Sequence, residues 1–113
     1  WLGVDEHGRQ LGRTGRYWRE VQACPVAAPL LALEVPVLAM WGSADWQSQR
    51  EEHVALVEAI NAASPGMARF EEVAGADHDW RAHATPGASM ASGWTGDFAD
   101  GVAEALLRWL RER

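Results

Sequence analysis

The run Val35-Pro36-Val37-Leu38-Ala39-Met40-Trp41, closed by Gly42, constrains this chain more than any other stretch. It is continuously apolar and does not alternate, so it does not suit a strand with one wet face. It suits a strand covered on both faces, the usual situation in a parallel sheet. A parallel partner needs a crossover, normally a helix, and the sequence supplies one. Ser48-Gln49-Arg50-Glu51 reads as a capping box, and the helix it opens is predicted to run to about Ala63. Val54, Val57 and Ile60 form its apolar stripe, with Arg50, Glu51, Glu52 and Glu58 facing water. Pro65-Gly66 ends it, and Ala68 to Val73 follows as a second strand, more polar and so nearer a sheet edge. Asp97 to Arg111 is predicted as a closing amphipathic helix with Phe98, Val102, Leu106, Trp109 and Leu110 on one side. The expected fold class is α/β, a parallel strand-helix-strand-helix unit.

Residues 1–34 read differently from residues 35–113. The first thirteen residues are polar and rich in Gly and Arg, a loop; Thr14 to Cys24 is predicted as a short helix bearing Tyr17, Trp18 and Val21, stopped before Pro25. Pro25 to Glu34 is a connector with a turn of helix at Pro29 to Leu33. The chain opens on Trp1 in mid-loop without a signal-peptide pattern, which reads as a piece of a longer polypeptide. Any targeting signal would belong to the missing part, leaving the cytoplasm as the default compartment. Between the second strand and the last helix, His83 to Gly96 is rich in Ala, Gly, Ser and Thr and long for a structureless connection.

Composition narrows the function. With 113 residues, 48% hydrophobic, the chain has enough apolar content for one modest core and too much for disorder. A net charge of −6 argues against nucleic acid as a partner, since phosphate binders carry a basic stripe. All ten basic side chains are Arg, which excludes a lysine nucleophile or Schiff base within these residues. One cysteine, Cys24, allows no internal disulfide, and no apolar run approaches the roughly 20 residues that span a bilayer, so no membrane partner is expected.

In parallel sheets, function collects in the loops at the carboxyl ends of the strands. Two chemistry-bearing residues fall there, Asp45 after the first strand and His78 after the second, 33 positions apart. That separation is about one crossover unit. A carboxylate and an imidazole at the same edge of adjacent strands come within hydrogen-bonding reach, the requirement for a carboxylate that orients a general base.

At these residues the sequence resembles the C-terminal third of the α/β-hydrolase superfamily. The resemblance rests on Val35-Pro36-Val37-Leu38-Ala39-Met40-Trp41-Gly42-Ser43-Ala44-Asp45, then a helix, a strand, Val73-Ala74-Gly75-Ala76-Asp77-His78 and a last helix, and it covers roughly residues 30 to 112. In that family an apolar strand ending in Gly-x-x-Asp delivers the triad acid and a later Gly-x-x-His delivers the base. The resemblance therefore implies Asp45 as acid and His78 as general base, in the family's chain order. It implies a serine hydrolase acting on an ester, amide or peptide-type acyl substrate, without a cofactor or a metal. No Gly-x-Ser-x-Gly elbow occurs in the chain, so the nucleophilic serine and the oxyanion donors are expected upstream of Trp1. The passage from Trp80 to Gly96 is longer than the family's usual one.

Plainer readings stand beside these. Asp45 could make an Asx-turn after a strand, and His78 could be a structural histidine, which would make the chain a non-catalytic binding or structural module. Asp77 and Asp79 read as a solvated loop pair; with His78 and His83 they also form a possible metal cluster, at a spacing that matches no zinc signature. His53 reads as a surface residue, Cys24 as a free thiol and Ser48 as a helix cap. Trp46 and Trp80 follow the two candidate catalytic residues and could wall an apolar pocket, although seven Trp in so short a chain must partly serve the core. A lone parallel strand pair is not stable by itself. The first strand is therefore expected to pair further, with the missing N-terminal portion or with a second copy of the chain.

Overall fold

The computed structural model describes residues 5–10, 13–25, 27–32 and 34–112. Contacts divide the chain into two units, Trp1–Ala32 and Leu33–Arg113.

The first unit holds a two-residue antiparallel ribbon, β1 (Arg9–Gln10) with β2 (Arg13–Thr14), where the sequence suggested only loop. Helix α1 spans Gly15–Gln22, shorter at both ends than predicted. Thr14 is its N-cap rather than its first residue, with the hydroxyl accepting from the Tyr17 N–H at 3.3 Å. Arg16 and Glu20 pair one turn apart, and Tyr17 meets Trp18 edge to face. A short α2 (Ala27–Leu31) occupies the connector.

The second unit is α/β: β3 (Val37–Gly42), α3 (Arg50–Ala63), β4 (Ala68–Val73), α4 (Pro86–Ala91) and α5 (Asp100–Arg111). β3 and β4 are parallel and paired in register from Val37 opposite Ala68 to Gly42 opposite Val73. The strand begins at Val37, two residues later than the apolar run. Pro36 has no N–H to give the ladder, whereas Val37 donates to Met67 at 2.8 Å. Among the described residues β3 pairs on one side only.

Helix α3 matches the predicted crossover, with Ile60 fully buried and Val54 and Val57 half-buried. Its cap does not. The chain enters the helix one residue later, at Gln49, whose backbone N–H is accepted by the Glu52 carboxylate at 3.3 Å. Ser48 is thereby released for another use. Charged side chains tie β4 to the helices around it: Arg50 to Glu72, Arg69 to Glu112 and Arg108 to Glu71.

The segment expected as a long connection contains α4, capped by Thr85, whose hydroxyl accepts from the Ala88 N–H at 3.1 Å, with Pro86 at the first helical position. The last helix starts at Asp100, not Asp97. Residues 97–99 are extended instead, with Ala82 donating to Asp97 and Ala99 donating to Trp80, both at 2.8 Å. The buried stripe also differs from the predicted one: Val102 and Ala105 are buried and Trp109 is half-buried, while Phe98, Leu106 and Leu110 are exposed. The core under α5 consists of Val73, Ala76, Ala99, Val102 and Ala105, flanked by Met40 and Trp80. No helix among the described residues is long and apolar enough to cross a membrane.

Candidate active site

The parallel register sets the loops after β3 and β4 side by side, and backbone contacts then join them. Ser43 donates its N–H to Val73 at 3.0 Å, and Ala44 donates to Ala76 at 2.9 Å. The Ser43 hydroxyl in turn accepts the Gly75 N–H at 2.8 Å. The approach is so close that a Cβ placed on Gly42 would stand 2.1 Å from the Ala76 carbonyl oxygen, and only glycine fits there.

Asp45 and His78 sit at the tips of these joined loops. The His78 Nδ1 lies 3.0 Å from Asp45 Oδ2. A ring nitrogen facing a carboxylate carries the proton, so Nδ1–H donates and Nε2 is left with its lone pair. The carboxylate is 4% exposed and the imidazole 47% exposed, a buried anchor holding an accessible ring. Nε2 has no hydrogen-bond partner among the described residues. This pair was expected from the sequence, and the structure brings its two members together.

Asp45 is held on every side. Its Oδ1 accepts the N–H groups of Gln47 at 2.7 Å and Ser48 at 3.1 Å, while its Oδ2 accepts the Ser48 hydroxyl together with the ring. Burial alone would raise the carboxyl's pKa. The bonds from the Ser48 hydroxyl, the His78 ring and the two N–H groups outweigh it and hold Asp45 below the ordinary carboxylate value, ionised at neutral pH.

Asp77 departs most from expectation. It is buried, not solvated, at 5% exposure. Its Oδ1 accepts the N–H groups of Asp79 at 2.9 Å and Arg81 at 2.8 Å, and its Oδ2 accepts the Ser89 hydroxyl at 2.8 Å. The His83 Nε2 stands 3.3 Å from the same oxygen, close enough for charge attraction, but it does not form an aligned hydrogen bond. Burial pushes the Asp77 carboxyl up; the Arg81, Ser89 and Asp79 bonds and the His83 charge more than reverse it, leaving it below its usual range. Asp77 thus ties the turn that carries His78 to helix α4. Asp79 is exposed at the tip, as expected.

The turn closes with Trp80 donating to the Asp77 carbonyl at 3.0 Å, in a left-handed conformation at φ 62° that is uncommon for a bulky residue. Trp80 also packs against the core and, with Asp45, Ser48, His53, Asp77 and His78, lines a cavity of about 70 Å³. Trp46 does not line that cavity. Its ring lies 5.9 Å from that of Trp94, the other tryptophan with a left-handed backbone. The pocket suggested for Trp46 and Trp80 together is therefore divided. His53, expected at the surface, is half-buried beside the dyad, its Nδ1 bonded to the Gln49 carbonyl at 3.0 Å. Cys24 is an exposed free thiol in the first unit. Among the described residues no three His, Cys, Asp or Glu side chains converge as a metal would require. Wider depressions, such as the 390 Å³ groove by His83 and Asp100, include neither Asp45 nor His78.

Sequence reasoning missed the roles of Ser48 and Asp77. The signal for Ser48 was its position three residues after Asp45, which serves a side-chain bond to the aspartate as readily as a helix cap. For Asp77 the signal was equally local, a side-chain turn onto the N–H groups of Asp79 and Arg81, whereas Ser89 becomes a neighbour only when α4 folds back.

Comparison with protein-family models, curated proteins and solved structures finds no match to this chain.

Proposed function

We propose that this chain is the acid–base half of a serine hydrolase, with Asp45 as the orienting carboxylate and His78 as the general base. The carrying observation is the 3.0 Å contact between a buried, ionised carboxylate and one nitrogen of a half-exposed ring whose other nitrogen has no hydrogen-bond partner among the described residues. A serine hydroxyl is a weak nucleophile until an imidazole takes its proton during attack. In this reading Nε2 of His78 takes that proton and later returns it to the leaving group, while Asp45 holds the tautomer and stabilises the imidazolium. The substrate is an ester, amide or peptide-type acyl compound.

The nucleophile and oxyanion donors come, in this reading, from a strand-turn-helix elbow outside the 113 residues. Among the described residues β3 pairs on one side only, which supports this reading, since an edge so left can accept a further strand, from the same polypeptide or from a second copy. The α/β-hydrolase family and a non-catalytic module remain the two readings to separate.

The test uses the longer polypeptide that carries this segment together with an upstream elbow serine. It is expected to be labelled by a fluorophosphonate and to hydrolyse p-nitrophenyl esters. Asp45→Asn and His78→Ala should each lower turnover by about 10³-fold or more. Turnover and labelling that survive His78→Ala unchanged would leave the chain as a binding or structural module.

A further inference from the structure

Ser48 has three bonds, and all of them converge on the Asp45 carboxylate or on the strand that presents it. Its N–H donates to Asp45 Oδ1 at 3.1 Å and its hydroxyl donates to Oδ2. Its carbonyl accepts the indole N–H of Trp41 at 3.1 Å, which anchors the residue to the end of β3. The oxygen that takes the Ser48 hydroxyl is the one that takes the His78 ring. We propose that Ser48 is a positioning residue of the dyad: by sharing Asp45 Oδ2 with the ring it restrains how strongly Asp45 draws the proton on His78.

This deepens the hydrolase reading and rests on the same Asp45–His78 pair. A carboxylate oxygen that accepts two hydrogen bonds has its charge partly neutralised and is a weaker acceptor for each donor. With Oδ1 already occupied by two backbone N–H groups, Ser48 is the one side chain besides His78 that bonds to Asp45 among the described residues. Removing its hydroxyl leaves Oδ2 to the imidazole alone. The imidazolium is then better stabilised, and the ring becomes a stronger base. A side chain that only braced the loop would act in the opposite sense, because a loosened Asp45 would hold the ring less well.

The ionisable groups around the shared cavity are Asp45 from the loop after β3, His53 from α3, and Asp77 and His78 from the loop after β4. Ser48→Ala changes none of their charges, so the fields of His53 and Asp77 act equally on both proteins and cancel in the comparison.

The experiment is a proton NMR titration of the His78 ring in the longer polypeptide that carries this segment, for the unaltered protein and for Ser48→Ala, Ser48→Thr and Asp45→Asn. Ser48→Ala is expected to raise the ring's titration midpoint by roughly half a unit, about threefold in proton affinity. Ser48→Thr, which keeps the hydroxyl, returns it close to the original, and Asp45→Asn lowers it. Should Ser48→Ala fail to fold, Ser48→Cys keeps the volume with a weaker donor and is expected to shift the midpoint in the same upward direction. A midpoint unchanged or lowered on losing the hydroxyl, while Asp45→Asn still lowers it, overturns the role of Ser48 and leaves the dyad standing. A His78 midpoint indifferent to Asp45→Asn overturns the dyad itself, and the proposal with it.

Discussion

Replacing Gly42 by alanine should damage this protein more than any other single methyl. A Cβ at that position meets the Ala76 carbonyl oxygen at 2.1 Å, its carbon at 2.6 Å and its Cβ at 3.1 Å, and the first two are backbone atoms that no rotamer change can move. An ordinary closest carbon–oxygen approach is roughly 3.3 Å, so the loops must part by about 1 Å. A separation of that size breaks the Ala44 to Ala76 bond, now 2.9 Å, and strains the Ser43 to Val73 bond at 3.0 Å. Overpacking costs about 1–3 kcal/mol, and each buried backbone group left without a partner costs about 1–3 kcal/mol. The expected loss of about 3–9 kcal/mol is a large fraction of the roughly 5–15 kcal/mol that holds a domain together. Urea unfolding followed by tryptophan fluorescence reads the loss. Gly66→Ala is the control: its φ of +78° disfavours alanine, but nothing lies within 4 Å, so about 1 kcal/mol is expected. If both variants lose the same small amount, the loops are not held in the contact described, and the reasoning that places Asp45 beside His78 falls with it.

Two further outcomes follow from the same geometry. Asp45 and Asp77 both have folded-state pKa values depressed below their unfolded ones, so each contributes stability that is complete above the unfolded value, about 3.9, and is lost as pH falls through the lower folded value. Urea midpoints measured between pH 7 and pH 2 should therefore fall mainly below pH 4, with Asp77→Asn showing a shallower decline, and an equally steep decline in that variant would exclude Asp77 as a source. Separately, the purified 113-residue chain is expected to hydrolyse p-nitrophenyl acetate no faster than its His78→Ala variant, because no elbow serine stands in it; turnover specific to the unaltered chain would locate a nucleophile within these residues.

The strands and crossover helix were legible because their patterns are local. An unbroken apolar run, an amphipathic stretch and Pro65-Gly66 specify the strand, the helix and its stop within a few residues each. The juxtaposition of Asp45 with His78 was legible for a related reason, since the parallel register converts sequence spacing into spatial proximity. The rest depended on contacts between distant residues. Ser48 carried two compatible instructions, cap and side-chain partner, and the Asp45 carboxylate settled which one prevailed. The start of α5 moved from Asp97 to Asp100 because residues 97–99 bond to Trp80 and Ala82, an edge pairing invisible to helical periodicity. On that helix Val102 and Ala105 face the core beside Val73 while Leu106 and Leu110 are exposed, a choice of face that periodicity alone did not settle.

The two buried aspartates show why burial and a lowered pKa do not by themselves identify a catalytic carboxylate. Asp45 and Asp77 are similarly enclosed, both are held below the ordinary value by hydrogen bonds, and both have a histidine nearby. They differ in what their oxygens face. Asp77 spends its Oδ1 on the N–H groups of its own turn and its Oδ2 on Ser89, with the His83 ring 11% exposed and misaligned. Asp45 also saturates one oxygen on the N–H groups of its own loop, but it turns the other toward a ring that is 47% exposed. One carboxylate therefore shapes the loop, and the other holds a half-exposed imidazole. The division follows from where the carboxylate hydrogen bonds point, four at Asp45 and three at Asp77, and neither charge nor depth would have separated them.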